Sequence, residues 1–173
     1  NQSGNAEEIT PEGPYSDDVV KLYYHDNKVF ALSGGVGNGG IPLQNNNGFY
    51  VFENGFWSNY NSSTHPTVLE NLVDITFNPV DNQYYIASYG SGLLKYDGNT
   101  SFELIDDTNS PIENWTLNNQ YTLITSLNAT SNGLWIGNYG VNNSLHYLNN
   151  SNSWSSFSQA TIGTNAPVEI VIA

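Results

Sequence analysis

The stretch Ser33-Gly34-Gly35-Val36-Gly37-Asn38-Gly39-Gly40 has a spacing that could hold a phosphate. Gly35, Gly37 and Gly40 match the dinucleotide fingerprint G-x-G-x-x-G, in which glycines bring backbone N–H groups up to a pyrophosphate at a helix N-terminus. That chemistry needs a helix directly after the last glycine and an acidic residue about 20 positions further on. Here Gly40 is followed by Ile41-Pro42-Leu43-Gln44-Asn45-Asn46-Asn47, which has no helical period, and then by the apolar run Phe49-Tyr50-Val51-Phe52. The glycines therefore belong to an enlarged loop between two strands, and no nucleotide site is expected.

Other residues offer binding rather than catalysis. Gln44, Asn45, Asn46 and Asn47 supply amide donors and acceptors suited to a polar ligand. Trp115 and His65 stand in long connections, where an indole can stack on a sugar or a partner and an imidazole can ligate. These six are the candidate ligand- or partner-binding residues. His25 and His146 fall on strands, where packing is their ordinary role. Glu70, Asp106, Asp107 and Glu113 lie in connections, but no repeated or convergent acidic pair of the kind used in glycoside hydrolysis emerges. Asp97-Gly98-Asn99-Thr100-Ser101 lacks the later bidentate Glu of a calcium loop. No nucleophile triad can be assembled, and without Cys there is no thiol or Cys-ligated zinc. The expectation is no enzyme, no catalytic residue, no metal and no cofactor.

Composition narrows the partners. Three Lys and no Arg stand against sixteen Asp and Glu, a formal net charge of −13. Such a surface repels nucleic acid and anionic membranes. No apolar run approaches the ~20 residues that span a bilayer. The absence of Met points to a processed product or a piece of a larger polypeptide. Residues 1–17 are polar and rich in Pro and Gly, and read as an N-terminal arm or linker.

The elements that must position these residues recur along the chain. Val20–Gly34, Ile75–Gly90 and Thr125–Gly140 align through strand, turn and strand, at a spacing of about 50–55 residues. The turns Asp26-Asn27-Lys28, Asp81-Asn82-Gln83 and Ser131-Asn132-Gly133 fall in register and suit tight hairpins. In the second copy four strands are expected, over Leu72–Asn78, Gln83–Ser88, Gly92–Asp97 and Ser101–Ile105. No segment has a convincing helical period. The expected fold is all-β, an incomplete β-propeller: three blades of four antiparallel strands plus the first strand of a fourth at Val168–Ala173. Blades are placed at 18–60, 72–106 and 122–158, with connections at 61–71 and 107–121, and 159–173 as a connection plus that first strand. Blade topology puts the long segments Gly34–Asn47, Asn61–Asn71 and Asp106–Tyr121 on one face, where binding usually resides.

Leu134-Trp135-Ile136-Gly137, Gly90-Ser91-Gly92-Leu93-Leu94-Lys95-Tyr96-Asp97 and Ile75-Thr76-Phe77 resemble the two-component regulator propeller repeat of Bacteroidetes, and the chain is similar to the propellers of PorZ-like proteins. That resemblance implies a non-catalytic module of a periplasmic, cell-surface or type IX secretion-associated protein. It would bind protein or surface polysaccharide through the long-loop face, and would contact further blades or self-associate through exposed edges. A periplasmic glycan-sensing half of a hybrid sensor kinase is the alternative, and a glycan-active enzyme the third.

Overall fold

Alternating apolar residues and tight Asn turns draw the chain into antiparallel hairpins. The computed structural model describes residues 13–164. Its strands are β1 (Val19–His25), β2 (Lys28–Ser33), β3 (Phe49–Glu53), β4 (Phe56–Tyr60), β5 (Leu72–Asn78), β6 (Gln83–Gly90), β7 (Gly92–Tyr96), β8 (Phe102–Ile105), β9 (Thr122–Thr130), β10 (Gly133–Asn138), β11 (Leu145–Asn149) and β12 (Trp154–Phe157). The four strands read from sequence in the second copy lie within two residues of β5–β8. Asp26, Asn27 and Asn82 take positive φ in the hairpin turns, and in the third turn Gly133 does so. One short helix, α1 (Gln159–Ile162), departs from the all-β expectation. Ser158 caps it and left-handed Gly163 ends it.

Strands pair as three meanders, β1–β4, β5–β8 and β9–β12, but they do not form three discrete blades. The first meander is a four-stranded sheet; the second and third join into one continuous, curled eight-stranded sheet. The join lies at the end of β6. Up to Ser88 this strand pairs with β5 and β7, and beyond it Tyr89 and Gly90 pair with Leu123 and Thr122 of β9. The propeller expectation is corrected accordingly. The expected strand at Val168–Ala173, like most of the N-terminal arm, lies outside the described residues.

Two cores hold these layers. In the first, Phe30, Leu32, Phe49 and Val51 of the first meander meet Leu72, Ile75, Tyr84, Ile86, Leu94 and Tyr96 of the second. In the second, the curl of the large sheet closes Tyr85, Ala87, Leu93 and Ile105 onto Leu127, Leu134, Ile136 and Leu148. Each lysine is ion-paired: Lys21 with Asp74 at 2.9 Å, Lys28 with Glu53 at 3.4 Å and Lys95 with Asp81 at 3.5 Å.

Asp74 braces all three meanders. It stands on β5, one carboxylate oxygen meets Lys21 of β1, and the other accepts the Leu127 N–H of β9 at 2.8 Å. Asp74→Ala strips a buried N–H of its acceptor and is expected to cost about 1–3 kcal/mol in urea unfolding. Asp74→Asn, which keeps an acceptor, is expected to cost less. Equal losses would show that the Leu127 bond contributes nothing.

Candidate binding site at the long-loop end

The loop after β2 folds back on itself rather than opening a helix. Val36 bridges Pro42, Gly37 donates to the Ile41 carbonyl at 2.8 Å, and a single 3-10 turn covers Asn38–Gly40. Two hydrogen bonds fasten this loop to the other long connections. The Asn71 N–H donates to the Asn45 carbonyl at 2.6 Å, and the Gln44 amide donates to the Tyr121 hydroxyl at 2.9 Å.

Beneath the loop lies a cavity of about 290 Å3 lined by Val36, Gly40, Val73, Tyr89, Thr125 and Tyr139. The Tyr89 hydroxyl donates to the Gly40 carbonyl at 2.9 Å, pinning the loop tip to the large sheet. The Tyr89 and Tyr139 rings lie 6.0 Å apart. Burial, then the neighbouring Tyr139, push the Tyr89 phenol up to about 12, so it stays a neutral donor at ordinary pH. Trp115 joins this aromatic group, 6.5 Å from the Tyr139 ring. Its indole lies against Gly140, at φ 71, where a Cβ would collide with it.

Glu113 secures the same connection. Its carboxylate accepts from the backbone N–H groups of Asn142 and Asn143 and from the Asn143 amide, while its own N–H donates to Asn138 Oδ1. Asp106 accepts from Thr108, and Asp107 accepts from the Asn114 amide at 2.7 Å. These three acids are engaged in loop hydrogen bonds.

The six candidate residues divide. Gln44 joins the connection that carries Trp115 through Tyr121. Asn45 stays in place by bonds to Asn71 and to the Asn47 N–H, and Asn47 donates to Asp18 at 3.2 Å. Asn46 is exposed. His65 lies elsewhere: its ring stands 5.0 Å from Tyr60 and 5.4 Å from Phe102, at the outer strands β4 and β8. His25 stacks on Phe77 at 3.9 Å. His146 is fully buried and holds Ser156 at 2.9 Å. Burial drives its pKa down, against the pull of Glu113 and Asn143.

The cavity residues themselves, Tyr89 and Tyr139 above all, were not among the sequence candidates. Their signal was the Tyr-Gly pair repeated at 89–90 and 139–140. Among the described residues no group of three or more His, Asp or Glu is placed to hold a metal ion, and no helix is long and apolar enough to cross a membrane.

What these features define is an all-β scaffold with an aromatic cavity under linked loops. A solved structure with a similar fold is PorZ, described as an essential bacterial surface component of the type IX secretion system of the human oral bacterium Porphyromonas gingivalis. It matches with a TM-score of 0.71 at 18% identity, over 88% of this chain and 21% of that one. The chain thus spans about a fifth of PorZ, and at this identity the likeness is one of fold. No protein-family model matches the chain, and no curated protein does. The resemblance to the two-component-regulator-type or PorZ-like propeller repeat is corrected because the second and third meanders share one curled sheet and do not stand as discrete blades.

Proposed function

We propose that the chain is a non-catalytic binding module of an extracytoplasmic, surface-associated bacterial protein, and that it takes a surface polysaccharide at the long-loop end. The cavity between Tyr89 and Tyr139 carries this reading. The half-buried Tyr139 ring offers a face to the C–H side of a sugar, and its hydroxyl and the exposed Gln44 and Asn46 amides offer hydrogen bonds. The fold shared with a secretion-system surface component supports the cellular setting. The engagement of Asp106, Asp107 and Glu113 within loops supports binding without turnover. A net charge of −13 disfavours strongly anionic ligands.

Calorimetric titration with purified bacterial surface polysaccharides tests the reading. Saturable binding is expected, weakened at least about tenfold by Tyr139→Ala and by Gln44→Ala. Phe56→Ala, on a residue 66% exposed on β4, is expected to leave it unchanged. Binding that ignores both site variants, or no saturable binding at all, would sink the proposal. Capture of a protein instead would transfer the site to a protein partner.

A further inference from the structure

Two sheet faces at opposite ends of the chain belong to neither core, and positions counted along the strands say what fits them. The third residues of β2, β6 and β10 are Phe30, Tyr85 and Trp135. Phe30 packs into the first core, between the first and second meanders, and Tyr85 into the second core, between the second and third. Trp135 enters neither. It forms a half-buried aromatic group with Tyr147 at 4.5 Å and Phe157 at 5.7 Å, and strand register places Leu145 on the same face.

The second residues of these strands give the complementary set. Tyr84 packs back against the first meander and Leu134 back against the second. Their counterpart in β2, Val29, looks onto a face shared by register with Leu22, Tyr24, Phe52 and Trp57. Leu22 and Tyr24 are 65% and 66% exposed. Among the described residues before β1, the Tyr15 N–H meets Asn59 at the far side of this face.

Both internal junctions therefore join a third-residue face to a second-residue face. Among the described residues one face of each kind has no core partner, and on the Val29 face the exposed part is Leu22 and Tyr24, since Ala31 and Tyr50 beside them are buried. We propose that a second copy of this chain docks head to tail, its Leu22–Tyr24–Trp57 face on the Trp135–Tyr147–Phe157 face of the first. The partner is fixed by the chain's own packing rule, which this contact would repeat between molecules. Because the two faces differ, the contact is heterologous, and further copies can add to either end until a ring closes. The aromatic residues are of the type that anchors interfaces. Like charge on every copy opposes docking, so added salt is expected to strengthen it.

Sedimentation velocity on the 173-residue chain over a wide concentration range tests this. Wild type is expected to form dimers and larger species. Tyr24→Glu and Trp135→Glu are each expected to weaken self-association at least about 30-fold, a hot-spot effect. Mixed together, they are expected to form a dimer that grows no further, since each supplies the face the other lacks. That mixture also guards against a folding defect, because a misfolded variant could not complement. A wild-type monomer at every concentration would overturn the proposal and assign the faces to another part of the polypeptide or to a different protein. Either variant dimerising alone would overturn it as well, because the contact would then be symmetric.

Discussion

Phe49→Ala is expected to destabilise the fold by about 3–5 kcal/mol. Phe49 is fully buried in the first core and meets three aromatic rings: Tyr60 stacked at 4.9 Å, Tyr96 at 5.4 Å and Phe102 at 6.3 Å. Those rings come from β4, β7 and β8, so the hole opens between the two sheets rather than within one. Rigid rings close such a hole poorly, and the cost of truncation grows with the volume that stays empty. Small domains hold only about 5–15 kcal/mol in total, so much of the reserve would go. Phe56→Ala in the same β3–β4 hairpin is the control. It removes the same side chain from an exposed site and is expected to change stability by less than about 0.5 kcal/mol. Urea unfolding of both variants decides. Similar midpoints would mean that the first core is not what joins the first meander to the second.

Unfolding by alkali between about pH 10 and pH 12 is the second large effect expected. Burial pushes four phenols up. Tyr84 and Tyr89 reach about 12, helped by Asp26 and Tyr139 respectively. Tyr85, whose hydroxyl donates to Asp81, and Tyr96, beside Tyr60, are raised further. In the unfolded chain these groups ionise near 10. Below pH 10 both states hold the protons, and these tyrosines give stability no pH dependence. Above it the unfolded chain loses protons that the folded chain keeps, so stability falls as pH rises. It continues to fall until the folded phenols themselves ionise. Urea midpoints measured from pH 9 upward are expected to be flat and then drop, with Tyr84→Phe reducing the slope by about one proton. A midpoint unchanged through pH 11.5 would contradict the burial of these hydroxyls.

What was legible in the sequence was local. Asn27 and Asn82 at turns, and apolar residues alternating along β5, place the hairpins closely because those signals act over a few residues. The join between β6 and β9 was not legible. It rests on Tyr89 and Gly90 overrunning their own hairpin to meet Leu123 and Thr122, and nothing in the alternation marks such an overrun. His65 looked like a companion to Trp115 because both sit in long connections, yet ring packing holds it at Tyr60 and Phe102. The cavity was half legible. The repeated Tyr-Gly pair was visible, but not that Gly40, far away in sequence, would supply the carbonyl that receives the Tyr89 hydroxyl.

The three lysines have a consequence beyond charge. A trypsin-like protease has only Lys21, Lys28 and Lys95 to cut at, and these stand within β1, β2 and β7. A protease must thread an extended, unpaired segment through its cleft, and strand backbone held in a ladder does not supply one. No loop of the described chain carries a cleavage point for such an enzyme. The long loops can thus stay open to a trypsin-like protease, and the rate of its digestion becomes a gauge of how often the sheets themselves come apart.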